Sequence, residues 1–229
     1  MIIIPNNNII LTSAVVVPPP SYLVEENFES ASNPPGWGTA IGSPNYQYTG
    51  VILQGAQSLF VSSSTAQATW AYLNYSSSLG VSCSECWTYF LFQFQILPNS
   101  QRQFFRLRDK DGNNDCSNIR METNGRLTTD QLGSNQVTTV GTLSPNTKYH
   151  IWTYYKKGAG TPANGTSSVA FSTDGVRPTS GNNFVQTTSG VATLNADVIY
   201  FFHPDGVSFS NVIDRVLMVT GSTAIPDNP

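Results

Sequence analysis

The sequence is short of charge, of glutamate and of cysteine, and the first hundred of its 229 residues hold no lysine or arginine at all. Charged residues make up 11% of the chain, against about 25% in ordinary soluble domains, so Ser, Thr, Asn, Gln and Gly must supply the polar surface. The eleven basic residues are scattered, with one adjacent pair at Lys156-Lys157, and the formal net charge is −3. Phosphate backbones are held by clustered Lys and Arg, so nucleic acid is not expected as a partner. No apolar run approaches the length of about 18 residues that a transmembrane helix needs, and no membrane insertion is expected. Met1–Ile4 is apolar, but Pro5 interrupts it, and no basic residue stands where a secretory signal would carry one. With Met1 at the start, the expectation is synthesis in a host cytoplasm without that route. Three cysteines are too few for a disulfide scaffold, and an odd count leaves at least one thiol unpaired within the chain. Cys83-Ser84-Glu85-Cys86 with Cys116 makes three of the four ligands zinc would need. A local disulfide and a pair of buried thiols both remain open for it.

What is present reads as β-structure. Hydrophobic residues make up 39% and aromatics 11%, enough for a core. Tyr89 to Ile96 alternates, so Phe90, Phe92, Phe94 and Ile96 are expected on one face. Phe105 and Leu107 oppose Arg106 and Arg108, and Ile119 and Met121 alternate with Arg120 and Glu122. Asn124-Gly125 supplies a tight hairpin turn, and Asp174-Gly175 another. Tyr149 to Lys157, Val169 to Ser172, Asp197 to Phe202 and Val212 to Val219 are further strands, and no helical period of useful length occurs. The expected organisation is an extended N-terminal arm over 1–21, one domain over 22–220, and a tail over 221–229. The arm rests on β-branched stretches followed by Pro18-Pro19-Pro20, which cannot continue a ladder.

Five segments then line up in order. Phe28-Glu29-Ser30 with Pro34-Pro35-Gly36-Trp37, Gly55 to Val61, Phe104 to Asn113, Tyr154 to Gly158 and Val212 to Val216 cover about residues 23 to 220. Together they resemble the concanavalin A-like lectin/glucanase family, in its laminin G-like form. The resemblance implies an all-β jelly-roll sandwich of two antiparallel sheets. It also implies a structural calcium held by Glu29 and Asp214, which stand near the first and last strands as acidic ligands do in related jelly rolls. The glucanases of the family carry a Glu-x-Asp-x-x-Glu strand whose carboxylates share one face. None of the five glutamates, Glu25, Glu26, Glu29, Glu85 and Glu122, falls in that spacing. A lyase would want His, Tyr and Arg converging on a groove; His150, Tyr154 and Arg106 are the candidates, and the competing expectation for His150 and Tyr154 is a half-buried strand face. Asp109 to Asp115 begins like a calcium loop, but Arg120 stands where an EF-hand needs glutamate, so a turn is expected.

A binding or structural protein is therefore expected in preference to an enzyme. The first expectation is a virion structural protein of a tailed phage, a capsid decoration, head fibre or tail adhesin. It would grip other virion proteins through residues 1–21 and self-associate as a homo-oligomer. The alternative is an extracellular or cell-surface carbohydrate-binding or adhesion module. Asn74-Tyr75-Ser76 and Asn164-Gly165-Thr166 would then be glycosylation acceptors in a eukaryotic host. Trp37, Trp70, Trp87 and Trp152 could stack on sugar rings, though at least three of the four are expected in the core. A polysaccharide-cleaving enzyme ranks third.

Overall fold

The computed structural model describes residues 21–39, 42–62, 69–111, 114–131, 134–159, 164–188, 193–203 and 210–229. The arm expected over 1–21 thus lies outside the described residues, apart from Ser21. Along the chain come β1 (Val24–Glu26), β2 (Trp37–Thr39), β3 (Asn45–Tyr48), β4 (Ser58–Ser62), β5 (Thr69–Asn74), α1 (Tyr75–Leu79), β6 (Glu85–Phe94) and β7 (Arg102–Arg108). They are followed by β8 (Asp115–Met121), β9 (Arg126–Gln131), β10 (Ser134–Thr142), β11 (Tyr149–Lys156), β12 (Thr166–Ser172), β13 (Phe184–Thr187), β14 (Val198–His203) and β15 (Ser210–Thr220).

These strands form two antiparallel sheets. One has eight strands in the order β13-β12-β11-β6-β15-β4-β3, with β1 paired to the far half of β15. The other has seven, in the order β10-β9-β8-β7-β14-β5-β2. The expected all-β jelly-roll sandwich of two antiparallel sheets is the fold observed.

Period-two alternation builds the interior. Phe90, Phe92 and Phe94 of β6 face the second sheet and are fully buried. Phe90 stacks on Phe105 at 5.2 Å and meets Phe201 edge-on at 5.1 Å, while Phe92 stacks on Phe104 at 4.6 Å. Each buried aromatic of this kind removes enough apolar surface from water to stabilise the fold by roughly 1.5–3 kcal/mol. A small polar knot crosses the same interior: Ser117 of β8 and Thr129 of β9 each lie 2.6 Å from the Ser167 hydroxyl of β12. Ile96 departs from the expected stripe and is 55% exposed. The strand ends at Phe94, ahead of Pro98, which has no amide hydrogen to give a ladder.

The turns follow the expected chemistry. Gly125 has φ +83° between β8 and β9, and its amide donates to the Glu122 carbonyl. A Cβ there would also stand 2.3 Å from the Leu143 carbonyl oxygen, so the position needs glycine twice over. Gly175 likewise has φ +78° after Asp174. The short helix α1 went unseen in the periodicity because it is a single turn and a half. Asn74 caps it by accepting from the Ser77 amide, and Gly80 ends it in the left-handed conformation. Asn74, the first glycosylation candidate, is therefore engaged through its side-chain oxygen as a helix cap.

Candidate functional site

Residues that turn away from the core on the seven-stranded sheet are not a bland polar surface. In β5, Ala71 and Leu73 point inward, so Trp70 and Tyr72 point outward; in β14, Ile199 and Phe201 point inward, so Tyr200 points outward. In β7 and β8 the same alternation sends Arg106, Arg108, Asn118 and Arg120 to that outer face, and in β9 it sends Thr128 and Asp130. Register turns these scattered positions into a line. Gly38 pairs with Tyr72, Tyr72 with Tyr200, Tyr200 with Arg106, Arg106 with Asn118, and Asn118 with Asp130. Directly opposed residues on one face sit within about 4.5–5.5 Å of one another at Cβ, so the line crosses six strands without a break.

The aromatic end is a platform. Tyr72 and Tyr200 stack with centroids 5.4 Å apart, and Trp70 meets Tyr200 edge-on at 5.8 Å. Gly38 makes room for this: a Cβ on it would stand 2.7 Å from Tyr72 Cζ, so the ring lies against bare backbone. The charged end is a lattice of planar groups. Arg108 Nε lies 2.9 Å from Asp115 Oδ1, and its guanidinium lies 5.4 Å from the centroid of the Tyr200 ring. Arg106 Nη1 is 3.6 Å from the same carboxylate oxygen. Arg120 Nε forms an ion pair with Asp130 Oδ2 at 2.7 Å, and Asn118 Nδ2 donates to Asp130 Oδ1 at 3.1 Å, with Asn118 and Asp130 both buried. Burial pulls the Arg106 guanidinium below its usual range, opposed by Asp115. Burial likewise raises the Tyr200 phenol, with Arg108 opposing, so the hydroxyl is a neutral donor and acceptor at ordinary pH.

The structure redistributes the other candidates. Glu29 and Asp214 meet on one loop. Glu29 Oε1 accepts from the amides of Ala56 at 2.8 Å and Gln57 at 3.3 Å. Asp214 Oδ2 accepts from the Gln54 amide at 2.9 Å and the Ser58 hydroxyl at 3.0 Å, and Oδ1 from the Arg215 amide at 2.7 Å. A bulge places Asp214 here: β15 shifts register between Asp214 and Leu217, and Arg215 takes φ +48°. Calcium takes six to eight oxygens. The two carboxylates would supply part of such a shell, and the ion would neutralise the fully buried Asp214. Their described contacts, however, are hydrogen-bond donors, and no group of three His, Cys, Asp or Glu able to hold a metal occurs among the described residues. Burial raises the Asp214 carboxyl to about 6, with Glu29 adding to the shift.

His150, Tyr154 and Arg106 do not converge. His150 and Tyr154 belong to the outer face of the eight-stranded sheet, on the far side of the sandwich from Arg106. There His150 Nδ1 is 2.8 Å from the Tyr89 hydroxyl and its ring stacks on Trp152, while Tyr154 donates to Glu85. Cys83, Cys86 and Cys116 are free and buried. Cys83 and Cys86 are hydrogen-bonded to each other, which lowers the first thiol and raises the second, so the buried-thiol reading of this pair is the one observed. Asp109 closes its turn by accepting from the Asn114 amide and side chain at 3.1 and 2.6 Å. Of the four tryptophans only Trp37 and Trp152 are buried, a correction to the three expected. Trp70 and Trp87 are half-buried on the outward parity of their strands, whereas Trp152, also outward, is buried in the second apolar cluster. Tyr72, Tyr200, Asn118 and Asp130 were not singled out by their sequence context. The alternation that opposes Phe105 and Leu107 to Arg106 and Arg108 was the signal that pointed toward this face.

No family model and no curated protein matches the sequence. The fold does align with solved structures. One is an endo-β-1,4-glucuronan lyase from the fungus Trichoderma reesei, with TM-score 0.55 and 14% identity over 88% of this chain and 96% of that one. Another is a marine alginate lyase from Aplysia kurodai, with TM-score 0.56 and 8% identity over 88% and 100%. A third is the binding domain of botulinum neurotoxin DC in complex with SialylT, with TM-score 0.56 and 8% identity over 89% and 48%. At such identities the likeness establishes the jelly-roll sandwich alone, since one fold hosts many functions. The virion structural protein expected from the sequence is corrected by these comparisons. The aligned structures are polysaccharide lyases and a toxin binding domain, and the arm on which the virion reading leaned lies outside the described residues. No described helix is long and apolar enough to cross a membrane.

Proposed function

We propose that this protein is a carbohydrate-binding or adhesion module, acting outside or on the surface of a cell, that lays a glycan chain across the outer face of its seven-stranded sheet. The observation that carries the reading is the unbroken cross-strand line Gly38–Tyr72–Tyr200–Arg106–Asn118–Asp130, with Trp70 beside it. Sugars present apolar ring faces and a fringe of hydroxyls. Half-exposed Trp and Tyr rings match the first, and the partly exposed edges of Arg106, Arg108 and Asp115 match the second, with Asn118 and Asp130 buried beneath as their support. Binding is favoured over cleavage because the described groups on this face are held out of acid–base work. The carboxylates of Asp115 and Asp130 are engaged by arginines, and the Tyr200 phenol is raised rather than lowered.

The test is a glycan array followed by calorimetry on the best ligand. Trp70→Ala and Tyr200→Ala should each weaken binding by about tenfold or more, equivalent to about 1.4 kcal/mol, while circular dichroism shows an unchanged fold. Absence of any glycan ligand, or affinity indifferent to both changes, overturns the reading; release of cut polysaccharide by the wild type would replace binding with catalysis. A structural calcium on Glu29 and Asp214 is a separate proposal, and a rise in Tm with calcium over EDTA that Asp214→Asn abolishes would support it.

A further inference from the structure

We infer that the glycan taken by this face is an uncharged one, a neutral hexose or pentose chain rather than a uronic-acid or sulfated polymer. The inference rests on the glycan-binding reading above and narrows its ligand class. The described charges beside the cross-strand line are the guanidiniums of Arg106, Arg108 and Arg120 and the carboxylates of Asp115, Glu122 and Asp130, three of each sign; a fourth cation of the same outward parity, Arg126, is exposed at the hairpin end of β9, four residues from Asp130. Their side chains meet in two groups. Arg106 and Arg108 share Asp115 at 3.6 and 2.9 Å. Arg120 holds Asp130 at 2.7 Å and reaches the Gln101 side-chain oxygen at 3.4 Å. Gln101 donates to Glu122 at 2.7 Å, and Thr128 donates to the same oxygen at 2.8 Å.

These pairs are not loose surface contacts. The arginine side chains are 12–20% exposed, and that of Asp130 is not exposed at all. Breaking a buried pair by taking away one partner leaves the other charge desolvated and alone, a cost of about 3–5 kcal/mol. An acidic sugar lying along the line could claim Arg106, Arg108 or Arg120 only by displacing Asp115 or Asp130, or by lying against them; Arg126 stands apart from the aromatic platform, at the start of β9. A neutral sugar meets neither obstacle. Its hydroxyls donate to the partly exposed Asp115 carboxylate and accept from guanidinium edges already fixed in place, and its ring faces stack on Tyr72, Tyr200 and Trp70 without altering the charge balance.

The experiment compares hexasaccharides of one length by calorimetry: neutral β-glucan, xylan and mannan chains against oligogalacturonate and oligoguluronate. Each is measured at about 20 and about 500 mM NaCl, a range over which exposed charge–charge attraction is largely screened. At least one neutral chain should bind about tenfold or more tighter than either acidic chain, with an affinity the same at both salt concentrations. Asp115→Asn, which releases Arg106 and Arg108, should shift the ratio of acidic to neutral affinity about tenfold toward the acidic chains. An acidic chain that binds the wild type as tightly as any neutral chain, with an affinity that falls with salt, overturns the inference while leaving the glycan-binding function in place. Failure of every chain to bind, with Tyr200→Ala without effect on any array ligand, overturns both.

Discussion

The two outer faces of the sandwich are built by the same alternation and end in opposite roles. On the eight-stranded sheet the outward residues are apolar: Tyr89, Leu91, Trp152, Ala170, Val212, Leu217 and Val219 form a second buried cluster. The chain covers them itself, with Leu53 from the loop before β4 and Ile225 from the tail, flanked by Tyr22, Tyr48, Val51 and Phe60. The tail is pinned by polar contacts. Trp87 Nε1 donates to the Ser222 carbonyl, the Arg177 amide to Asp227, and the Asn228 amide to the Gly175 carbonyl. On the seven-stranded sheet the outward residues are half-buried Trp, Tyr and Arg, with Asn118 and Asp130 buried beneath the arginines that contact them. One face completes the core; the other is furnished for contact. The comparison teaches that aromatic content alone does not mark a binding surface, since both faces carry Trp and Tyr. What differs is whether the chain supplies its own cover.

The sharpest way to break the comparison is to exchange the roles of the two tryptophans. Trp152→Ala should cost about 3–5 kcal/mol of stability, as large-to-small changes in packed interiors do, with a clear fall in the denaturation midpoint and unchanged glycan affinity in the protein that remains folded. Trp70→Ala should do the reverse. Loss of glycan affinity from the first and not the second would reverse the assignment of faces.

The next effect concerns Asp214, the carboxylate buried under the cover. Its folded pKa of about 6 lies above the unfolded value near 3.9, so the folded state holds this proton more tightly. Its contribution favours folding below about pH 4 and is lost as pH rises through about 6, a difference of roughly 3 kcal/mol. Urea midpoints at about pH 4.5 and 7 should differ more in the wild type than in Asp214→Asn. Bound calcium would hold the carboxylate ionised and reverse the sign, so repeating the series with calcium sharpens the point.

Deletion of residues 222–229 should uncover Trp87 and the neighbouring apolar cluster. About 2 kcal/mol of stability is expected to go with the buried Ile225 side chain and its surroundings, together with new binding of a hydrophobic dye. The smallest effect is at Gly38, where Gly38→Ala must push Tyr72 off the backbone. Glycan affinity should fall about threefold with stability changed by less than about 1 kcal/mol. An unchanged affinity would mean that Tyr72 is not part of the platform.

Much of the architecture was legible before any coordinates. The alternations in β6, β7 and β8 and the Asn124-Gly125 turn follow from local rules of side-chain parity and backbone φ, which act over two to four residues. The buried Phe90, Phe92 and Phe94 are where the pattern placed them, and Gly125 is where φ is positive. Ile96 and the tryptophans show the limit. Whether an outward residue is covered depends on which loop or tail lies over it, and Trp152 and Trp70 carry no local mark of their different fates. His150 and Tyr154 stand on the half-buried strand face that the sequence favoured for them, and Arg106 lies on the opposite side of the sandwich, a separation that local alternation does not reveal.

By itself, then, the chain of residues determined that this protein is a β-sandwich with glycine-dependent turns and little charge, because those properties are written in spacing and in single-residue stereochemistry. Only the tertiary structure decided that Gly38, Tyr72, Tyr200, Arg106, Asn118 and Asp130 stand side by side. They come from six strands as far apart in sequence as β2 and β14, and cross-strand register, which brings them together, is set by the packing of the whole sheet against its core.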